Sequence, residues 1–303
     1  MFIEPDEHVI IMEDTSLLPF SSDDLRKLED GGVRTIFVTN IICWNKIYSG
    51  GDWSTIDSKI DKFEKTNLKL IIPFHGKDLP PKFKWNNDAW LSQRPSFTRW
   101  ADYSSFAPDY SNLEYAQAVD NFADELFKRY SDRKIQFIFA IPDDGEFPFF
   151  PHWNEWPISI ETMLKFIHGR QEVLSKQYGE IWTNYHNQTG CWNAKYVPLM
   201  YETLRKEFPN IPYYAVQFEH FTLGVPSQVF IKKHTEEHGI RFFVGSNYIE
   251  GLRDNLKAGI EQKTWGFLTA PLHRCNPVKH THVEDWMIPV IQKANERLCE
   301  AHK

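Results

Sequence analysis

Four cysteines in 303 residues are too few and too scattered to hold this chain together covalently. Cys43, Cys191, Cys275 and Cys299 show no Cys-x-x-Cys spacing, which excludes a zinc knuckle, a redox pair and a dense disulfide framework. Basic charge is short as well. Lys and Arg number 34 against 41 Asp and Glu, giving a net charge of −7 and a pI near 6.0. A surface that neutralises phosphates needs the opposite balance, so no nucleic-acid partner is expected. No run approaches the ~20 apolar residues of a membrane span, so no membrane partner is expected either. Glycine-rich phosphate loops of the GxGxxG or Walker A type are missing. The opening MFIEPDEHVII has no basic segment leading into an apolar one, which predicts a cytoplasmic chain. In that compartment the sequon Asn187-Gln188-Thr189 would be idle.

Aromatic residues are plentiful. They make up 15% of the chain, as 11 Trp, 12 Tyr and 23 Phe. Aromatic faces stack on the apolar C–H faces of sugars, so a glycan cleft fits this composition. A large core with aromatic loops accounts for many of the same residues.

Along the chain a short apolar run, a polar loop and an amphipathic segment recur, the pattern of parallel α/β architecture. Eight strands are predicted, at 8–12, 33–39, 68–72, 135–141, 180–186, 212–219, 240–245 and 264–269. The fifth is the weakest, since 180–186 also reads as a helix extension. Ser21-Ser22-Asp23 is a helix N-cap cluster and Gly31-Gly32 closes that helix. Trp53, Ile56, Ile60 and Phe63 recur at helical spacing. A final helix is expected from about 282 to 298. Eight strand–helix units without an interrupting linker predict an α/β fold, a single (β/α)8 TIM barrel spanning 1–303. An open doubly wound sheet is the competitor, but it would carry a glycine-rich turn where this chain has Glu13-Asp14-Thr15.

In a TIM barrel the reactive groups sit at the C-terminal ends of the strands. Those positions hold Glu13 and Asp14, His75, Asp143, Asp144 and Glu146, Asn184 and His186, Gln217 and Glu219, and Asn247 and Glu250. Such a rim, rich in carboxylates and amides and lacking a GxSxG elbow, suits glycoside hydrolysis, which needs two carboxyl groups flanking the scissile bond. Glu146 is the candidate acid. Phe147, Phe149 and Phe150 would desolvate it, and Asp143 and Asp144 would repel its charge; both effects raise a carboxyl pKa. The second carboxylate is Glu219, by its parity with Ala215 and Gln217, or Glu250 in the loop after strand seven, which otherwise reads as a surface glutamate before a helix that begins near Leu252. His75, Asp144, Asn184, His186, Gln217 and Asn247 are candidate sugar ligands, and Trp53, Trp85, Trp153 and Trp182 candidate stacking platforms.

Two resemblances sharpen this reading. The segment from Gly50-Gly51-Asp52-Trp53 through the run ending at His75 is similar to the second and third units of the retaining barrel glycosidases that include family 42 β-galactosidases and family 5 cellulases. Gly145-Glu146-Phe-Pro-Phe-Phe-Pro151 resembles the Gly-Glu-x-x-Tyr-Pro run around the acid of β-amylases, which implies Glu146 as proton donor. The retaining clan places its nucleophile after strand seven, which implies Glu250, although Tyr248-Ile-Glu-Gly251 departs from the clan's motif. Barrels that pair strands four and six imply Glu219 instead. Metal-dependent amidohydrolases place ligands where His186 and His220 fall, yet they need an HxH after strand one. Here the HxH, His280-Thr-His282, follows strand eight, so neither metal nor cofactor is expected. Two rivals to a glycosidase remain: a non-catalytic glycan-binding barrel, and a metal-dependent barrel enzyme acting on a sugar or cyclic amide.

Overall fold

A computed structural model describes residues 7–14, 18–39, 53–74, 114, 121, 125, 128–139, 147–149, 214–217, 241–246, 248–261, 263–272 and 278–303. The strands are β1 (Val9–Asp14), β2 (Thr35–Thr39), β3 (Lys69–Phe74), β4 (Ile135–Phe139), β5 (Phe147–Phe149), β6 (Tyr214–Gln217), β7 (Arg241–Ser246) and β8 (Gly266–Thr269). Four helices are bounded within the described residues: α1 (Ser22–Asp30), α2 (Ser54–Asp61), α3 (Ile249–Glu261) and α4 (Met287–Ala301). No described helix is long and apolar enough to cross a membrane.

The strands form one sheet in the order β4-β3-β2-β1-β8-β7-β6-β5. First and last strands therefore lie side by side, with Val9, Ile10 and Ile11 opposite Phe267, Leu268 and Thr269. Every neighbouring pair is parallel except β5 with β6, where Phe147, Pro148 and Phe149 run antiparallel to Val216, Ala215 and Tyr214. Parallel neighbours need crossover connections, and α1, α2 and α3 supply those from β1 to β2, β2 to β3 and β7 to β8.

This arrangement bears on the fifth predicted strand. Residues 180–186 lie outside the described residues, and the fifth described strand is the short Phe147–Phe149. From sequence that segment reads only as the apolar surroundings of Glu146 after the fourth strand, and a proline is unfavourable inside a central strand. Proline is tolerated at a sheet edge, and β5 is an edge strand.

Strand alternation separates two buried faces. On one, Ile10, Met12, Phe37, Ile71, Phe243, Leu268 and Ala270 form a single cluster, every member a strand residue or, for Ala270, the residue after one. On the other, Val9, Ile11, Ile36, Val38, Leu70, Ile72, Val244 and Phe267 are equally buried. Helices cover this second face. A Cβ at Gly259 of α3 would stand 2.5 Å from the Phe267 ring, so glycine lets the helix settle directly on the strand. On the first face Gly266 plays the corresponding part, since a Cβ there would overlap the His8 carbonyl and lie 2.7 Å from the Phe243 ring.

The N-terminal ends of the strands are closed by hydrogen bonds. Buried Glu7 accepts from the backbone N–H groups of Arg34 (2.9 Å) and Thr35 (2.8 Å) and from the Thr35 hydroxyl. Burial pushes the Glu7 carboxyl up, and these donors pull it part of the way back. His8 donates through its backbone to Asn295 of α4 (2.8 Å) and through Nδ1 to the Trp265 carbonyl (2.7 Å). Its ring stacks on His302 at 5.0 Å, and the Arg241 guanidinium lies 4.2 Å from the Trp265 ring centre. The end of the closing helix is thus locked beneath β1, β7 and β8.

Candidate functional site

At the opposite, C-terminal ends of the strands, the chain leaves β7 at Ser246 and enters α3 at Ile249, so Glu250 stands in the first turn of that helix. A carboxylate is favoured there by the unpaired N–H groups and the positive end of the helix dipole. The helix begins earlier than the sequence suggested. Glu250 therefore belongs to α3 itself.

The connection from β8 to α4 brings a buried histidine to this carboxylate. His280, whose side chain is 6% exposed, sits with Nε2 3.1 Å from Glu250 Oε1 and Nδ1 2.6 Å from Glu284 Oε1. Trp286 donates its indole N–H to the other Glu284 oxygen at 2.8 Å, and its ring meets the imidazole edge-on at 5.7 Å. A carboxylate only accepts, so both contacts are hydrogen bonds at once only when the imidazole carries two protons. Burial works against that charge, but the bonds from Glu250 and Glu284 outweigh it and hold His280 above the ordinary histidine value. The His280 imidazole, followed by the Trp286 N–H, holds Glu284 below the usual carboxylate range.

The same connection is anchored to α1. Asp24 Oδ1 accepts from the Val283 N–H at 2.6 Å, and Lys27 donates to the Val283 carbonyl at 3.1 Å and to Asp285 at 2.8 Å. Asp24 is held for this task by a capping box. Ser21 Oγ accepts from the Asp24 N–H (3.1 Å), and Asp24 Oδ2 accepts from the Ser21 N–H (2.9 Å) and hydroxyl (2.6 Å). Residues 278–286 thus draw together the N-terminal turns of α1, α3 and α4. Those helices follow β1, β7 and β8, which are neighbours in the sheet.

The predicted site residues fare differently. Glu250 is placed on this edge and remains 24% exposed. Gln217 ends β6, opposite Val244 of β7, again at the C-terminal edge. Trp53 caps α2 and is buried, its ring 6.4 Å from Tyr130 at a steep angle and 5.4 Å from the Arg129 guanidinium. Asp57 accepts from the Tyr130 hydroxyl (2.8 Å) and from Arg129 (3.0 Å), completing that helix-packing cluster. Glu146, Glu219, His75, Asp144, Trp182, Asn184, His186 and Asn247 lie outside the described residues.

Glu13, read from sequence as a rim group, has a different setting. It shares parity with Val9 and Ile11 on the helix-covered face, its side chain is fully buried, and it pairs with Lys62 just beyond α2. Sequence reasoning missed His280, Glu284 and Trp286 as a unit. The available signal was the i,i+4 spacing of His280 and Glu284 ahead of the last helix; the third partner, Glu250, is 30 residues away along the chain. Among the described residues no group of three His, Cys, Asp or Glu side chains could hold a metal ion.

No family model matches this chain, and no curated protein does. Among solved structures, the catalytic domain of β-amylase from Paenibacillus polymyxa aligns over 97% of this chain and 100% of its own, with 12% identity and a TM-score of 0.47. A putative dihydrodipicolinate synthetase from Pseudomonas aeruginosa aligns over 96% and 99%, with 10% identity and a TM-score of 0.29.

Proposed function

We propose that this chain is a single (β/α)8 barrel that hydrolyses an O-glycosidic bond between two carboxyl groups at the C-terminal mouth. Two features favour closure into a barrel. The strand order runs through the β1–β8 pair and ends at β4 and β5, and the inner apolar cluster is drawn from the strands and from Ala270 just after one. A doubly wound sheet would cover both faces with helices.

The observation that carries the catalytic reading is Glu250: a partly exposed carboxylate at the C-terminal edge, on the first turn after β7, oriented by a buried histidine. In this reading Glu146 is the general acid, and Glu250 or Glu219 is the second carboxylate, acting as nucleophile or as base for water. The acid protonates the departing glycosidic oxygen while positive charge develops on the ring, and the opposite carboxylate stabilises or captures it. A separation of about 5–5.5 Å between the two would give retention, and about 6.5–9.5 Å inversion.

A panel of aryl glycosides tests the proposal. Glu146→Gln is expected to fold normally and to lose about a thousandfold in kcat, within the range of general acid catalysis. A comparable loss in Glu250→Gln or in Glu219→Gln identifies the partner. Oligosaccharide binding without turnover, unchanged in Glu146→Gln, would establish a glycan-binding barrel instead. Stoichiometric zinc or manganese in the purified protein would establish the metal-dependent alternative.

A further inference from the structure

The arrangement around His280 has a property that needs no reference to glycosides. Its two nitrogens face carboxylates on different elements: Glu250 on α3, and Glu284 on the same connection as His280 itself. A neutral imidazole has one N–H and can satisfy only one of them. The two contacts are unequal, at 2.6 Å to Glu284 and 3.1 Å to Glu250. Glu284 is also the better-fixed acceptor, since Trp286 holds its second oxygen.

We propose that His280 is a proton-operated tie between the β8–α4 connection and α3. Doubly protonated, it bridges Glu250 and Glu284; singly protonated, it keeps its Nδ1–H bond to Glu284 and releases Glu250. Release does not free the connection as a whole, because Asp24 and Lys27 of α1 continue to hold Val283. What changes is local: the first turn of α3 and the Glu250 carboxylate lose the bond to His280.

Among the described residues the charged groups around the tie can be named. From α3 comes Glu250, with Arg253 and Asp254 in the next turn paired to each other. From α1 come Asp24 and Lys27, directed at Val283 and Asp285. The connection itself contributes Lys279, His282, Glu284 and Asp285. Two carboxylates in direct contact oppose one desolvation cost, so the tie is made below the ordinary histidine value and opens as pH rises through the raised one. At the acid end it weakens as Glu284 takes up a proton, below the usual carboxylate range.

Nitrogen-15 NMR of the His280 ring in the whole chain tests this without substrate. Below the midpoint both ring nitrogens should report protonation. Above it the Nδ1–H tautomer should appear, and the nuclear Overhauser contact between the His280 ring and the Glu250 side chain should vanish. The midpoint should lie above the ordinary histidine value and fall by about one unit in Glu250→Gln, the smaller end of the effect of losing an adjacent opposite charge. A midpoint at or below the ordinary value, an Nε2–H tautomer, or a ring-to-Glu250 contact that persists through the transition would each overturn the proposal. None of these readouts depends on hydrolytic activity, so failure here and failure of the glycosidase reading are separate results.

Discussion

The two ends of the strands solve the problem of buried polar groups in opposite ways. At the N-terminal end, Glu7 is enclosed by three donors, and His8, Trp265 and His302 pack ring against ring. At the C-terminal end, His280 is buried but its partners are not: Glu250 is 24% and Glu284 36% exposed. The first arrangement holds the closing helix to the sheet. The second is an ionic contact that one proton makes or breaks, at the C-terminal edge of the strands. A buried, fully enclosed polar cluster serves stability, whereas a half-buried, titratable one remains open to solvent and ligand.

Substitutions at the two ends should separate these roles. The largest effect is expected at the base of β8. Gly266→Ala forces a methyl group into the His8 carbonyl and the Phe243 ring, and should cost about 3 kcal/mol by chemical denaturation, with a lowered melting temperature. If stability is unchanged, the close approach of β1 and β8 is wrong.

Glu7 gives the next effect, and its sign depends on the replacement. Glu7→Ala leaves the Arg34 and Thr35 N–H groups without their acceptor and should cost about 2 kcal/mol. Glu7→Gln keeps an oxygen for both and removes the buried charge. Because burial raises the folded-state value of Glu7, its favourable contribution is present below about pH 4.5 and is lost as pH rises through that raised value. Glu7→Gln should therefore raise the melting temperature at pH 7 and leave it nearly unchanged near pH 4. The reverse pattern would refute the burial argument.

At the other end the costs are smaller. Ser21→Ala removes the cap that aligns Asp24 with Val283 and should cost about 1 kcal/mol in denaturant titrations. Glu250→Gln should cost less than about 1 kcal/mol, since the pair is partly solvated. Its cost should also depend on pH. The His280 value is raised in the folded state, so the contribution is complete below the ordinary histidine value and disappears as pH climbs through the raised one. A large loss at every pH would mean that Glu250 is an architectural residue like Glu7.

Much of this fold was legible in the sequence, for a simple reason. Strands of a parallel sheet are predominantly apolar, and runs such as Leu68–Ile72 and Ile135–Phe139 announce themselves. Ser21 and Gly31 bounded α1 as their capping preferences require. What escaped depends on distance along the chain. Phe147–Phe149 forms a strand only because β6, more than sixty residues later, accepts it as an antiparallel edge. Trp53 was placed correctly at a helix start, but its burial is set by Arg129 and Tyr130, which no local pattern links to it. Glu13 looked like a mouth residue until β1 extended through Asp14 and alternation turned it toward Lys62. His280 was noticed only as half of an HxH pair, and its partnership with Glu250 needed coordinates.

The account as a whole turns on proton donation from position 146. The most direct measurement is the turnover of aryl glycosides by the wild-type chain and by Glu146→Gln, with melting temperatures recorded beside them. The account predicts measurable hydrolysis by the wild type, a loss of about a thousandfold in kcat in the variant, and matching melting curves. Equal turnover in the two proteins would contradict it.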